Sequence, residues 1–469
     1  MKTYDVIIIG AGTAGLTARK EVAKHTLNYL VVHDGPVGTT CARVGCMPSK
    51  ALLQIAHDLH QTKTLQKLNL LASDSLQVDL EKILVHVRSL RDRFVKGIVT
   101  DMHDWQDKLL KGRASFLDDH TLEVNGTKIS GKKIIIATGS SPLIPSEWLP
   151  YRKFILDSDS IFEQKTLPKK ILVVGLGAIG IELGQALSRI GVEIVGVNLG
   201  PKVAGITDPL LQQYVSAKFR DEFPLYHEGA TPTGSADGER IEVQIDGKVQ
   251  GFDKVLLCIG RKPNLKNLQL LKTGVTLNKN GSPEVSKTNL SLKEKPHIFL
   301  AGDVSGIRPI LHEAADEGRI AGHNTVHELE CFRRKVPLGI IFSDPNIASI
   351  GENYQSLVDR GEDFVTGKVS FEGQGRAILK LKEQGLLHVY VSRKDSKILG
   401  AELQAPDGEH LAHLLCWAMS LNLTVQECLH LPFYHPVTEE GLRSALRDAA
   451  LQLKAPPREI FLCEDTPIR

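Results

Sequence analysis

Twice in this chain a β-branched apolar run stops at a glycine, passes two more glycines and opens into a helix-like pattern. The first copy is "YDVIIIGAGTAGLTARKEVAKH", with Gly10, Gly12 and Gly15. The second is "KILVVGLGAIGIELGQALSRIG", with Gly175, Gly177 and Gly180. Strand, G-x-G-x-x-G turn and helix together make a dinucleotide cradle. The first glycine forms the turn, the second lets the backbone approach a pyrophosphate, and the third lets helix and strand pack closely. The helix N-terminus then offers unpaired N–H groups and a positive dipole end to the phosphates. One copy could be any tight βα turn; two copies in matching context predict two bound dinucleotides. They also predict an α/β fold with two such Rossmann-like domains rather than a helical bundle.

The acid that holds each adenine ribose is expected about 20 residues past the motif, at the end of the second strand. Eighteen residues past Gly15 stands His33, followed by Asp34, in "LVVHDG"; the ribose contact is assigned to Asp34. Eighteen past Gly180 stands Asn198, in "EIVGVNLGPK", with Lys202 nearby and no carboxylate before Asp208. A free ribose is usually met by Asp or Glu and a 2′-phosphate by Arg or Lys. Asn198 therefore leaves NAD and NADP both open.

At 469 residues the chain should hold more than one domain. A net charge of +2 gives no reason to expect a nucleic-acid partner, and Arg333-Arg334-Lys335 reads as a short solvated face. The opening "MKTYDVIIIG" runs straight into the glycine turn, and no stretch approaches the ~18 apolar residues of a membrane span. The expectation is a cytoplasmic protein with no membrane partner. In a reducing compartment a close cysteine pair is more often catalytic or metal-binding than structural.

Such a pair stands in "GTTCARVGCMPSKALL", residues 38–53, at Cys41 and Cys46. A zinc site would need two further Cys or His at short spacing, and none is near, so no metal is expected there. A disulfide needs Cα atoms within about 7 Å. At about 1.5 Å of rise per residue, positions five apart on a regular helix lie slightly too far and point to different faces. The first turn must be distorted, with Gly45 supplying backbone freedom and Pro48 suiting the start of the regular helix. A thiol at a helix N-terminus has a lowered pKa. The other five cysteines (258, 331, 416, 428 and 463) are scattered and read as mostly buried small hydrophobes.

"GTTCARVGCMPSK" resembles the redox-active stretch of the FAD-dependent pyridine nucleotide–disulfide oxidoreductases. The resemblance continues in order through "IIIATGS" (134–140), "GRKPN" (260–264), "AGDVSG" (301–306), "IFSDPNIASIG" (341–351) and "FYHPVTEEG" (433–441). It implies that the first cradle holds FAD and the second NAD or NADP. It implies an FAD domain over 1–150, a nucleotide domain over 151–265, a return to the flavin over 266–335, and an α+β dimerisation domain over 336–469. Thr40, Thr138, Gly139 and Asp303 would join the FAD contacts, with His312 in the helix "LHEAADEG" pointing its N-terminus at the flavin; Gly260 would join the nicotinamide nucleotide site. Cys41 and Cys46 would form the redox disulfide, Cys46 against the flavin and Cys41 exchanging with substrate. Lys50 would sit near the flavin and pair with Glu182.

The same resemblance gives His435 as the base and Glu440 as the carboxylate that orients it. His435 would reach the cysteines of the other subunit, which implies a homodimer. Val437 stands where the family pattern usually has Thr. "CxxVGCxPSKALL" is most similar to the dihydrolipoyl dehydrogenase branch, which implies oxidation of lipoyl-bearing proteins or small dithiols with NAD+. A reductase of another disulfide such as glutathione and a flavin diaphorase or NAD(P)H oxidase are the alternatives. "CAR" for the usual "CLN" marks an atypical branch, and the terminal "EIFLCEDTPIR" has Cys463 alone where a mercuric reductase would end in a vicinal pair.

Overall fold

The computed structural model describes residues 1–72, 77–235 and 238–454. Each glycine turn is followed by its helix, and each follows a strand flanked by parallel neighbours in its own sheet. In the first domain β1 (Lys2–Ile9) lies between β2 (Tyr29–His33) and β6 (Thr127–Ile136), parallel to both. The strand Leu109–Lys111 (β3) extends one side, and the antiparallel meander β4 (Ala114–Phe116), β5 (Thr121–Val124) and β6 extends the other. Val6, Ile7 and Ile8 have no solvent exposure. Such unbroken burial is what a strand covered on both faces requires. Helix α1 (Thr13–Val22) lies on one face, against the long helix Leu311–Val326. The two approach so closely that a Cβ on Gly318 would stand 2.2 Å from the Ala14 carbonyl oxygen. Ile298–Leu300 returns to pair with β6, so the first sheet is completed by chain from well past the second domain.

The second sheet is wholly parallel, in the order 225–226, 193–197, 170–174, 254–257, 155–156. The two domains are laced by a short antiparallel pair, Ser140–Pro142 with Arg261–Pro263. A third, antiparallel sheet forms from 338–341, 346–351, 398–405, 386–392 and 364–370, backed by Gly408–Ser420 and Glu440–Gln452. The architecture is the expected one, two Rossmann-like units and a C-terminal α+β unit. Among the described residues no helix is long and apolar enough to cross a membrane.

The chain after the cysteines forms two long helices, α3 (Cys46–Lys67) and α4 (Leu80–Met102). Their buried Leu52, Leu53, Ala56, Leu84 and Val87 share one core with Ile181 and Leu183 of the second cradle's helix, Ala178–Arg189. This shared core brings the cysteine helix from the first domain against the second.

The basic run departs from its expectation. Arg333 and Lys335 are exposed, but Arg334 is 13% exposed and its guanidinium pairs with Glu313 at 2.6 Å and Glu317 at 2.8 Å. Those two buried acids on Leu311–Val326 need a cation, and a charge run cannot announce which member turns inward.

Candidate active site

The cradles are built alike. Gly10 and Gly175 sit at φ +113° and +91°, in backbone space that favours glycine. Cβ atoms on Gly15 and Gly180 would each stand 1.9 Å from the carbonyl oxygen of the first glycine of their own motif. Gly12 and Gly177 differ, for a Cβ there would meet nothing within 4 Å. Packing explains the outer glycines; room for an approaching ligand explains the middle ones. No side chain caps either helix N-terminus, so the first-turn N–H groups stay available to a pyrophosphate.

The ribose positions are less conventional. His33 ends β2 and its Nδ1 accepts the Ala11 N–H at 3.3 Å; Asn198 accepts the Leu176 N–H at 3.0 Å from the same place in the second cradle. Asp34 lies one residue beyond the strand, its carboxylate paired with Arg113 at 2.7 Å. The matching position in the two cradles is thus held by His33 and Asn198, neither of them a carboxylate.

The cysteine stretch is distorted as its spacing required. A short helix, α2 (Thr40–Val44), ends at Gly45 (φ −115°, ψ −114°), and α3 starts afresh at Cys46. This break turns the two thiols toward each other, both in the free form, with Cys41 donating to Cys46. That hydrogen bond, helped by the Lys50 charge, brings the Cys46 thiol down to about 7 against the opposing effect of burial. The same contact and burial push the Cys41 thiol well above its ordinary value. One sulfur is poised as a thiolate and the other is kept protonated.

Lys50 lies one turn after Cys46 and grips both oxygens of Glu182, at 3.0 and 2.8 Å. Glu182 is nearly buried and also accepts the Phe342 N–H at 2.8 Å, while the Lys50 ammonium stands 4.8 Å from the Phe342 ring. Three domains therefore meet at one ion pair.

Both thiols, Lys50 and Glu182 line a cavity of about 390 Å³. Its walls include the starts of both cradle helices, Thr40, Gly139, Asp303 and the N-terminus of Leu311–Val326. His312 is exposed on that helix and outside the wall. Thr138 also lies outside; its hydroxyl donates to the Asn264 carbonyl at 2.9 Å, and Asn264 bonds back to the Thr138 carbonyl. Gly260 sits at φ +112° and its carbonyl accepts the Leu143 N–H. A relay not anticipated from the sequence holds Asp303: Arg261 donates to the Ser140 hydroxyl at 2.8 Å, which donates to the Asp303 carboxylate at 2.6 Å. Its members lie inside quoted motifs, but their partnership spans more than a hundred residues.

His435 and Glu440 are brought together, with Nδ1 donating to the carboxylate at 3.0 and 3.1 Å. The His435 hydrogen bond holds the Glu440 carboxyl below its ordinary value. In the neutral ring Nε2 is left as the accepting nitrogen. This imidazole is 80% exposed and does not line the thiol cavity. Of the remaining described cysteines only Cys428 is buried; Cys258 and Cys416 are half-buried and Cys331 is exposed, so the group is less buried than expected. Cys463 lies outside the described residues.

Two open glycine cradles opening on a shared dithiol cavity define a nucleotide-dependent disulfide oxidoreductase. Residues 4–318 match the family described as pyridine nucleotide-disulphide oxidoreductase, and residues 338–446 match its dimerisation domain. The chain belongs to the pyridine nucleotide-disulphide oxidoreductases, flavoproteins that use FAD and NAD(P). It is 29% identical over 452 residues to a mercuric reductase of Lysinibacillus sphaericus, covering 94% of this chain and 82% of that one. It is 29% identical over 453 residues to a dihydrolipoyl dehydrogenase of Thermus scotoductus, covering 95% and 97%. Among solved structures, the Cu(II) complex of the HOCl-induced flavoprotein disulfide reductase RclA from Escherichia coli superposes with a TM-score of 0.83 at 21% identity, over 95% of this chain and 99% of that one. LpdA from Mycobacterium tuberculosis does so with a TM-score of 0.82 at the same identity and coverage. The cavity fits the flavin in its open Gly12, uncapped α1 and fixed Asp303.

Proposed function

We propose that this protein is a dihydrolipoyl dehydrogenase-type enzyme of the cytoplasm, oxidising lipoyl-borne or small dithiols with NAD+ as the final acceptor. The observation that carries the reading is the thiol pair, Cys41 and Cys46 set either side of the Gly45 break and hydrogen-bonded so that the pKa of Cys46 is lowered and that of Cys41 raised, in a cavity walled by both cradle helices. The Cys41–Cys46 pair is the redox disulfide. Gly10, Gly12, Gly15 and Asp303 would hold FAD, and Gly175, Gly177, Gly180 and Asn198 the nicotinamide nucleotide. Bound FAD supplies the two-electron relay from thiols to nicotinamide.

A substrate thiolate attacks the Cys41 sulfur, the Cys41–Cys46 bond breaks, and the electron pair leaves on Cys46. A thiol of pKa near ambient pH is a good leaving group, and Lys50 stabilises the negative charge. The second substrate thiol then attacks the substrate sulfur of the mixed disulfide and frees Cys41, completing the cyclic disulfide product. The proton of the second thiol passes to the departing Cys41 sulfur, whose pKa is raised. The first attack needs a base, since the substrate thiol is protonated at neutral pH. His435 Nε2, oriented by Glu440, accepts the proton. It lies outside its own chain's cavity, so the base is supplied by the other subunit of a homodimer. Leu414, Trp417 and Leu421 form an exposed apolar stripe on the dimerisation domain, in keeping with that assembly.

The mercuric reductase relatives favour a second reading, in which the same dithiol ligates and reduces a soft metal ion with NAD(P)H. One comparison of rates separates them. Dihydrolipoamide with NAD+ or NADP+ is run beside Hg(II) and oxidised glutathione with NADPH. Turnover only with the metal ion or only with glutathione would overturn the dihydrolipoyl assignment.

A further inference from the structure

Behind the thiol cavity, the second cradle's helix Ala178–Arg189 carries three polar side chains on one face, Glu182, Gln185 and Arg189. Positions i, i+3 and i+7 of a helix point the same way. Each of the three is at most 5% exposed, and polar groups accept such burial only with partners. The partners lie on one short segment, residues 342–344, between the strands 338–341 and 346–351 of the dimerisation domain. Glu182 accepts the Phe342 N–H at 2.8 Å. Gln185 accepts the Asp344 N–H at 2.8 Å and donates to the Asp344 carbonyl at 2.9 Å. Arg189 donates to the Asp344 carboxylate at 2.9 Å and to its carbonyl at 3.1 Å. The helix thus holds the segment by its backbone at both ends.

The charges around this grip are matched. Every nitrogen of the Arg189 guanidinium is engaged, its other bonds going to the Glu222 carboxylate, which also accepts from Gln185. Lys382 stands 2.9 Å from the second Asp344 oxygen. Against the opposing effect of burial, Lys382 and Arg189 bring the Asp344 carboxyl down to about 2. From α3, Lys63 donates to the Arg189 carbonyl at 3.1 Å, and His57 and His60 face the same charges. Burial pushes the His57 imidazole down to about 4 and lowers that of His60, so neither adds a charge at neutral pH.

We propose that Gln185 and Arg189 are positioning residues for the thiol site: by fixing residues 342–344 they hold Glu182 and Lys50 where the Lys50 charge faces Cys46. The inference rests on the proposed reaction, in which Lys50 stabilises the Cys46 thiolate. Neither residue lines the thiol cavity, so the action passes through the Phe342 N–H and Glu182. Glu182 holds Lys50 with both oxygens, and one of them shares its charge with the Phe342 N–H. Without that N–H the carboxylate draws harder on the ammonium and takes it from the sulfur. The sequence hides this device because Gln185 and Asp344 stand 159 residues apart along the chain.

The test follows iodoacetamide labelling of Cys46 against pH in the reduced holoenzyme, by mass spectrometry of the Cys46 peptide. Gln185→Met removes the grip without leaving a buried charge unpaired. It should move the labelling midpoint upward by about 0.3–1 pH unit, below the roughly one unit that a hydrogen bond to a charged group is worth. Arg189→Met should move it the same way, and Arg189→Lys less, because lysine keeps the charge but not the fork. In a Lys50→Met background Gln185→Met should add nothing, since both act through one ammonium. An unmoved midpoint in Gln185→Met, or an equal shift with and without Lys50, would overturn the inference and leave the reaction standing. A wild-type protein with no labelling midpoint near neutrality would overturn both.

Discussion

In the proposed reaction the dithiol cavity and the His435–Glu440 pair would act together, yet the chain treats them in opposite ways. Cys41 and Cys46 sit in a cavity built from three domains, with Lys50 and Glu182 fixing the local charge. His435 and Glu440 are joined to each other but stand on an open surface, the imidazole 80% exposed. On the proposed reaction, one chain would complete only half of the chemistry. It can set the pKa of its own sulfurs, because burial and a nearby cation act within the fold. It does not bring a base to them.

The largest effect expected from breaking this arrangement is at the sulfurs. Cys41→Ser and Cys46→Ser should each abolish thiol–disulfide turnover in a dihydrolipoamide assay, with FAD content retained. If Cys41→Ser left that turnover intact, the exchange role would be wrong. Next comes the base: His435→Ala should lower kcat by about 10²–10⁴-fold, the usual range for a general acid–base group. Mixing Cys46→Ser with His435→Ala under subunit exchange should restore activity, since about a quarter of the sites in a random mixture draw intact parts from two chains. No recovery would place both groups in one chain's site. A smaller loss is expected for Glu440→Gln, carried in kcat and in the pH profile more than in KM, as suits a positioning residue.

The subtlest prediction concerns pH. With its pKa lowered from 9.0 to about 7, Cys46 gains its negative charge as pH rises through neutrality. Iodoacetamide labelling of Cys46 in the reduced protein should therefore rise between about pH 6 and 8. Lys50→Met removes a stabilising cation, so the midpoint should move upward; an unmoved midpoint would mean that the Cys41 hydrogen bond acts alone.

Much of this was legible in the chain because local sequence and local geometry coincide there. Gly10 and Gly175 need positive φ, Gly15 and Gly180 need closeness, and five-residue cysteine spacing needs a broken first turn; each demand is met within a few residues of itself. The His435–Glu440 pair belongs to the same class. Asp34 shows the limit of such reading: it stands one residue beyond the strand that ends at His33, and its carboxylate pairs with Arg113, a partner that the local sequence does not name.

What the tertiary structure alone decided are the partnerships between distant segments. Lys50 with Glu182, Arg261 with Ser140 and Asp303, Arg334 with Glu313 and Glu317, and Gln185 and Arg189 with Asp344 all depend on how separately formed elements dock. A helix or glycine turn is dictated by short-range sterics and backbone hydrogen bonding, which the residues state themselves. The direction of a long polar side chain is settled by which buried charge or carbonyl reaches it after packing, and no local pattern encodes that.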